Sequence, residues 1–314
     1  MSLLSIRDLS IGYLSGQSVV RAVEGLTLSI EPGETVGLVG ESGSGKSTAI
    51  KGLLRVLGPP GVILGGEVHF KGQDVLRMNE SALRRLRWEE IALVPQSALN
   101  SLNPVLTIAQ QIADTLRAHA TPTSADLQRI GTELMEMVDL SPTVLRQYPH
   151  QLSGGQRQRV ALSLALVLKP SLIILDEPTT ALDVVVEREI IKRLLALQSE
   201  LGFAMLFITH DLSLLLEFAT RIGVLYSGRL VEDGPIAVFR KGGRHPYTQR
   251  LLASIPRLFG SMDDVHGIPG SPPSLVDPPP GCRFAPRCHL AEPACLDAPP
   301  PLVSGVACHL LEPR

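Results

Sequence analysis

Residues Gly40-Glu41-Ser42-Gly43-Ser44-Gly45-Lys46-Ser47 fill every fixed position of the pattern G-x-x-x-x-G-K-[ST]. No other feature restricts the fold as strongly, because this pattern works only as a tight turn between a strand and a helix. Both neighbours are present. Glu34 to Gly40 reads ETVGLVG, a short β-rich apolar run closed by glycine. Ile50, Leu53, Leu54 and Leu57 recur at the i, i+3, i+4, i+7 spacing of an amphipathic helix. The turn from Gly40 through Ser42, Gly43 and Ser44 to Gly45 lets backbone N–H groups converge on phosphate oxygens, and the following helix turns its positive end to the same anion. Lys46 reaches the terminal phosphates, the Ser47 hydroxyl helps hold Mg²⁺, and Thr48 follows in the same first turn. The expected ligand is a nucleoside triphosphate, ATP, with Mg²⁺.

Phosphoryl transfer needs a second set of groups, and Leu172-Ile173-Ile174-Leu175-Asp176-Glu177 supplies one. A buried strand carries Asp176 rigidly to the metal's coordination shell, through water. Glu177, one residue on, faces the attacking water as general base or polarising group. Alone, such a pair serves equally well to cap the next helix; behind a phosphate loop more than 100 residues upstream, the catalytic reading prevails. Leu152-Ser153-Gly154-Gly155-Gln156 is another glycine turn at a helix N-terminus and bears a hydroxyl, hence a second anion-binding end. As a plain serine cap it would be unremarkable.

Composition bounds the rest. The 314 residues are 44% hydrophobic, enough for a substantial core. Lys and Arg number 29 against 31 Asp and Glu. That near-neutral balance argues against a protein that coats nucleic acid, so no nucleic-acid partner is expected. The start, MSLLSIRDLS, lacks the charged, apolar and small-residue succession of a leader. No apolar run approaches the ~20 residues that span a bilayer. A cytosolic chain is expected, whose membrane role, if it has one, comes through a partner.

Along the chain, residues 1–240 read as one mixed α/β unit, with strands at Ser5 to Leu14, Ala22 to Ile30, Leu172 to Leu175 and Met205 to Thr209. IGVLYSGRLVEDG reads as a hairpin turning at Ser227-Gly228. About residues 78–160 have helical character and form an insertion, in which Arg84, Arg85 and Arg87 make a solvated helix face. Residues 241–314 are proline-rich (PGSPPSLVDPPPGC, DAPPPL) and hold all four cysteines, so an irregular extension with little core of its own is expected there.

LSGGQRQR, LDEPTTALD and ITHD, in that order behind GESGSGKST, resemble the ABC ATPases over about residues 3–240. The resemblance implies an α/β P-loop NTPase with a RecA-like core, an antiparallel β-subdomain, a helical subdomain insertion and, here, an irregular cysteine-containing C-terminal extension. In that family two cassettes pair head to tail. Ser153, Gly154, Gly155 and Gln156 are then expected on the γ-phosphate of a nucleotide held by the partner, and Asp183 in the loop crossing the interface. His210 is expected on the γ-phosphate of its own nucleotide. Gln96, in LVPQSALN, matches the glutamine that ligates Mg²⁺ or positions water at the start of the helical insertion. Many relatives follow it with Asp; here Ser97 follows, and no metal role is assigned to it. Glu177, His210 and Gln96 form the expected catalytic set. Tyr13 is the nearest candidate for the aromatic that stacks on adenine, with an ordinary strand tyrosine as the alternative.

DNA-organising relatives carry a long coiled coil between the two glycine motifs, whereas only 107 residues separate Lys46 from Ser153 here. Translation-factor relatives usually carry two cassettes per chain; this chain has one. A single cassette without a span looks like an importer subunit. Arg244-His245-Pro246-Tyr247-Thr248 leading to LLASIP, and SLNPVLTI after Gln96, resemble the ATPases of oligopeptide and dipeptide importers. That resemblance implies a second, related cassette and two transmembrane permease subunits. It also implies an extracytoplasmic solute-binding protein acting indirectly, and a location on the cytoplasmic face of the membrane. Oligosaccharide or metal-chelate solutes stand as alternatives, and a DNA-linked ATPase as a weaker one.

Cys282, Cys288, Cys295 and Cys308 are the only cysteines, spaced C-x₅-C-x₆-C-x₁₂-C. Four thiols in a short tail suggest a metal clip, since a cytosolic chain makes paired disulfides unfavourable. Tetrathiolate ligation suits zinc or an iron–sulfur cluster. GCRFAPRCHLAEPAC…CH resembles the cysteine motif of the peptide-importer subunits, which implies a [4Fe–4S] cluster, with Zn²⁺ and then free thiols as the alternatives. His289 and His309 are read as bystanders.

Overall fold

The computed structural model describes residues 2–16, 18–96, 101–180, 182–255 and 267–311. Ser97 lies outside them. The chain divides into two units, one of Met1–Glu31, Thr35–Arg77 and Ile208–Arg314, the other of Pro32–Glu34 and Met78–Phe207.

The first unit opens with an antiparallel pair, β1 (Leu4–Ser15) and β2 (Ser18–Ile30), in register Leu4↔Ile30. Strand β3 (Thr35–Val39) is buried at every residue and leads through the glycine turn into α1 (Lys46–Leu53). The helix ends earlier than the leucine spacing predicts. Leu54 caps it and Arg55 turns left-handed at φ 51°, so Leu57 lies beyond it. Strands β4 (Gly61–Phe70) and β5 (Gln73–Asp74) complete an antiparallel sheet in the order β2-β1-β4-β5. The β4 strand escapes the sequence reading because Gly65 and Gly66 interrupt its pattern. Gly66 has φ +99°, and a Cβ there would stand 2.5 Å from Leu9 Cα, so only glycine fits against β1.

The second unit runs α2 (Glu80–Arg85), β6 (Ile91–Val94), α3 (Ile108–His119), α4 (Ser124–Met137), α5 (Gly154–Leu166), β7 (Leu172–Asp176), α6 (Val184–Leu201) and β8 (Ala204–Thr209). Its strands lie in the order β8-β7-β6, and β6 pairs in parallel with β7 from Ile91↔Leu172 to Val94↔Leu175. Every residue of β7 and β8 is buried. This explains their unbroken apolar runs, since a strand covered on both faces has no solvent side to alternate with. Capping boxes at Thr107/Gln110 and Thr123/Asp126 start α3 and α4.

The chain then returns to the first unit with α7 (Leu212–Phe218), β9 (Arg221–Tyr226) and β10 (Arg229–Pro235). The last two form the expected hairpin, with Ser227 and Gly228 at φ 46° and 85°, the positive pair that a two-residue hairpin turn needs. Strand β9 pairs in parallel with β3, from Val36↔Arg221 to Val39↔Val224. Short helices α8 (Ile236–Arg240), α9 (Pro246–Ala253) and α10 (Ala294–Asp297) belong to the C-terminal region. That region is better packed than its proline content predicts. Tyr226, Tyr247 and Phe284 form a ring cluster with centroids 4.6 to 5.3 Å apart, and all three are buried. The amides of Asp233 and Ala307 donate to Gly305 and Val231 across the open edge of β10, so the tail covers that edge. Among the described residues, no helix is long and apolar enough to cross a membrane.

Candidate nucleotide site

In the first unit, two glycines of the loop are sterically required. Gly45 has φ +102° and its Cβ would lie 2.5 Å from the Ala22 carbonyl oxygen; at Gly40 a Cβ would lie 2.1 Å from that of Leu225. Gly45 is also the N-cap of α1 and offers no side-chain acceptor, so the first-turn N–H groups keep no cap from it. Such a terminus favours an anion. Lys46 is 5% exposed. Its ammonium donates to the carbonyls of Gly40 at 2.7 Å and Glu41 at 3.1 Å, and to Ser44 Oγ at 3.4 Å. Ser42 and Gly43 are exposed at the tip, Ser44 is buried, and Ser47 is half-buried in the first turn. The Tyr13 hydroxyl meets Thr48 Oγ1 at 3.1 Å, which ties β1 to the same helix turn. His210 is exposed in the turn after Thr209, just before Asp211 caps α7.

In the second unit, Asp176 is buried at the end of β7. Glu177 follows at φ 48°, a left-handed conformation that strains a residue with a Cβ. Its Oε2 accepts from Gln96 Nε2 at 3.0 Å and from Thr180 Oγ1 at 3.2 Å. Gln96, expected at the metal or water, is thus held directly on the expected catalytic carboxylate. The signature turn shows the plain serine cap in full. Ser153 Oγ accepts the Gln156 amide at 3.3 Å, and Gln156 Oε1 accepts the Ser153 amide at 3.0 Å. The cap leaves Ser153 exposed and Gly154, Gly155 and Gln156 partly so. A Cβ at Gly155 would stand 2.9 Å from Val186 Cγ1, which accounts for its glycine. Asp183 caps α6 through Oδ1, at 3.1 and 3.0 Å from the amides of Val185 and Val186.

The sequence reading missed a set of residues in the first unit. Glu41, the variable residue after Gly40, has its carboxylate held by Arg287 and its amide donating to the Tyr247 hydroxyl. Arg283 binds the Glu24 carboxylate and the Ser227 carbonyl. Both arginines adjoin cysteines, and that adjacency was the only signal.

The four cysteines carry free thiols. Among the described residues no group of three His, Cys, Asp or Glu is gathered to hold a metal ion, so the expected clip is not assembled as a single-ion site. Burial pushes the thiols of Cys282, Cys288 and Cys308 up. The Cys282 amide donates to the Cys295 carbonyl at 2.8 Å.

The ABC transporter family model matches residues 23–180, and that of the oligopeptide/dipeptide transporter C-terminal region matches residues 231–295. With a glycine turn seated between β3 and α1 and a carboxylate pair closing β7, the molecule is an ATP-binding cassette of the P-loop class. A dipeptide transport ATP-binding protein of Caldanaerobacter subterraneus subsp. tengcongensis is 44% identical over 291 residues, 92% of this chain and 89% of its own. A putative peptide import ATP-binding protein of Brucella abortus is 44% identical over 292 residues, 92% of this chain and 88% of its own. The chain belongs to the ABC transporter family, among its ATP-binding proteins. Solved structures agree. A dimeric ATP-binding cassette in a post-hydrolysis state with ADP and phosphate superposes with TM-score 0.66 at 28% identity, over 74% of this chain and 98% of that one. A Clostridium perfringens cassette, part of an ABC transporter complex, gives 0.66 at 25% identity, over 76% and 94%.

Proposed function

We propose that this chain hydrolyses ATP to ADP and phosphate to drive uptake of di- and oligopeptides. One observation carries the peptide reading: likeness to peptide import ATP-binding proteins runs through both the cassette and the tail. Oligosaccharide and metal-chelate solutes remain the alternatives that uptake assays decide.

Gly40 to Ser47 cradle the β- and γ-phosphates. Lys46 exchanges its bonds to the Gly40 and Glu41 carbonyls for bonds to phosphate oxygens, and Thr48 and Tyr13 support the nucleoside side. The hydroxyl of Ser47, the amide oxygen of Gln96 and the carboxylate of Asp176 are the hard oxygen donors that would hold Mg²⁺, which when bound would neutralise phosphate charge. Glu177 is the general base toward water, oriented by Gln96, and His210 contacts the γ-phosphate. Ser153 to Gln156 serve a nucleotide on a partner cassette. Their exposure, with Asp183 and the exposed apolar pair Val184 and Val185 nearby, supports that role. The partner cassette is a related but different chain. Two permease subunits anchor the pair at the cytoplasmic face of the membrane, and a solute-binding protein delivers cargo outside.

Cys282, Cys288, Cys295 and Cys308 would be the thiolate donors of a [4Fe–4S] cluster, with Zn²⁺ as the alternative.

The test of hydrolysis is Glu177→Gln in the assembled transporter. It retains ATP binding, and phosphate release falls at least ~100-fold, the low end of general-base effects. Unchanged turnover would remove Glu177 from the chemistry.

A further inference from the structure

Glu41 is an awkward residue for a phosphate-binding loop, because its carboxylate adds a negative charge where a polyphosphate is to sit. The C-terminal extension answers that charge. Arg287 Nη1 donates to Glu41 Oε2 at 2.8 Å and Nη2 to Oε1 at 3.1 Å, a two-pronged pair. The Arg287 side chain is 5% exposed. Its other donors are also used: Nε on the Pro269 carbonyl at 2.8 Å, Nη2 on the Ile268 carbonyl at 3.2 Å, and Nη1 on the Tyr226 hydroxyl at 3.2 Å. All five N–H groups of an arginine are thereby committed. A lysine has neither the number nor the planar fork to replace them.

The same loop residue is held at its backbone. The Glu41 amide donates to the Tyr247 hydroxyl at 3.1 Å, while its carbonyl accepts from the Ser44 amide at 3.1 Å and from Lys46. Fixing Glu41 therefore fixes the first turn of the loop and the resting place of the Lys46 ammonium. Tyr247 is itself rigid. It is fully buried among Tyr226 and Phe284, in the first turn of α9, and the Tyr226 that braces Arg287 ends the strand paired with β3.

We propose that Arg287 and Tyr247 are positioning residues for ATP binding: the C-terminal extension holds Glu41, neutralises its carboxylate and sets the phosphate loop from beneath. The proposal rests on the reading of the chain as an ATP-binding subunit. It assigns the tail a role in nucleotide affinity that is separate from any metal at the cysteines.

The experiment measures binding of a fluorescent ATP analogue (mant-ATP, with Mg²⁺) to the full chain, and KM and kcat for ATP in the assembled transporter. Binding by the wild type tests the underlying reading; the variants test only the proposal. Arg287→Ala leaves an unpaired carboxylate in the loop. It weakens mant-ATP binding and raises KM about tenfold, the scale of one unscreened charge acting over ~10 Å at an effective dielectric near 20, with kcat within about twofold. Adding Glu41→Gln to Arg287→Ala recovers most of that loss, because the stranded charge is gone. A merely structural arginine gives no such recovery. Arg287→Lys keeps the charge and the stem, loses the fork, and falls between wild type and Arg287→Ala, so it serves as the readout if Arg287→Ala does not fold. Wild-type affinity in Arg287→Ala, or equal losses in the single and double variants of matched melting temperature, overturns the proposal.

Discussion

Replacing Glu232 by alanine should loosen the C-terminal extension, and the structure sets the size. Glu232 has no exposed surface, in the middle of β10. Its Oε1 accepts the Arg244 amide at 2.9 Å and its Oε2 the His245 amide at 3.0 Å. Arg244 Nε lies 3.6 Å from Oε1, and Arg244 Nη1 goes on to the Ser304 carbonyl at 2.8 Å. One buried carboxylate thus fixes the entry of α9, whose first turn carries Tyr247. Alanine strands two amides in a dry site, while the Arg244 side chain, 35% exposed, keeps solvent and the Ser304 carbonyl. Each stranded amide costs about 1–3 kcal/mol, and the partly exposed Arg244 adds little, so the two amides together put the total at about 3–5 kcal/mol. At about 2–3 °C per kcal/mol for a unit of this size, the calorimetric transition of the first unit should fall by about 6–15 °C. Hydrogen exchange should show residues 244–253 losing protection first. Glu232→Gln keeps one acceptor and turns an NH₂ toward the other amide, so it should lie between. An alanine variant that melts within about 1 °C of wild type, with α9 still protected, would show that the amides find other partners and that the carboxylate does not organise the tail.

Two further outcomes follow from the same region. Burial holds the His245 imidazole down at about 4, against its ordinary 6.5, with the Ala307 carbonyl opposing. The folded chain therefore prefers neutral histidine, and that stability is full above pH 6.5 and lost as pH falls toward 4. The loss is up to about 3 kcal/mol; it is measured as urea midpoints against pH, and His245→Asn flattens it unless another group is responsible. For the cysteines, anaerobic purification should yield visible charge-transfer absorption and about four irons per chain, removed by Cys295→Ser. One zinc per chain and no colour would favour the alternative ion, and neither metal would leave four free thiols.

What could be read from the sequence was what lies close along the chain. The phosphate loop spans eight residues, and its glycines, Lys46 and Ser47 are dictated by one local turn. The apolar strand that ends in Asp176 and Glu177 is equally local, and so is the hairpin at Ser227-Gly228. Even there, local pattern overreached: the leucine spacing carries α1 on to Leu57, but Arg55 in the left-handed region ends it at Leu53. Strand β4 was hidden for the converse reason, because its glycines serve a close approach to β1 and erase the alternation a reader looks for.

Pairings across the chain were not legible, and they decide how the site is held. Gln96 finds Glu177 over 81 residues, and Arg287 finds Glu41 over 246. Nothing at either end names its partner, since a charge or an amide in isolation fits many. The proline content of the tail pointed away from a core, yet proline restricts only backbone and says nothing of whether three aromatic rings elsewhere converge. Tyr226 closes β9, Tyr247 opens α9 and Phe284 follows Cys282 by two. Their cluster is an outcome of β9 running parallel to β3, because that pairing sets the end of β9 beside the turn that the strand pair supports. An arginine stacked into the cluster then faces the loop as a matter of topology, and the loop tolerates a glutamate for the same reason. The acidic residue and its distant neutraliser are one feature, and a reading that treats the extension as an appendage to a finished cassette separates a charge from the group that makes it tolerable.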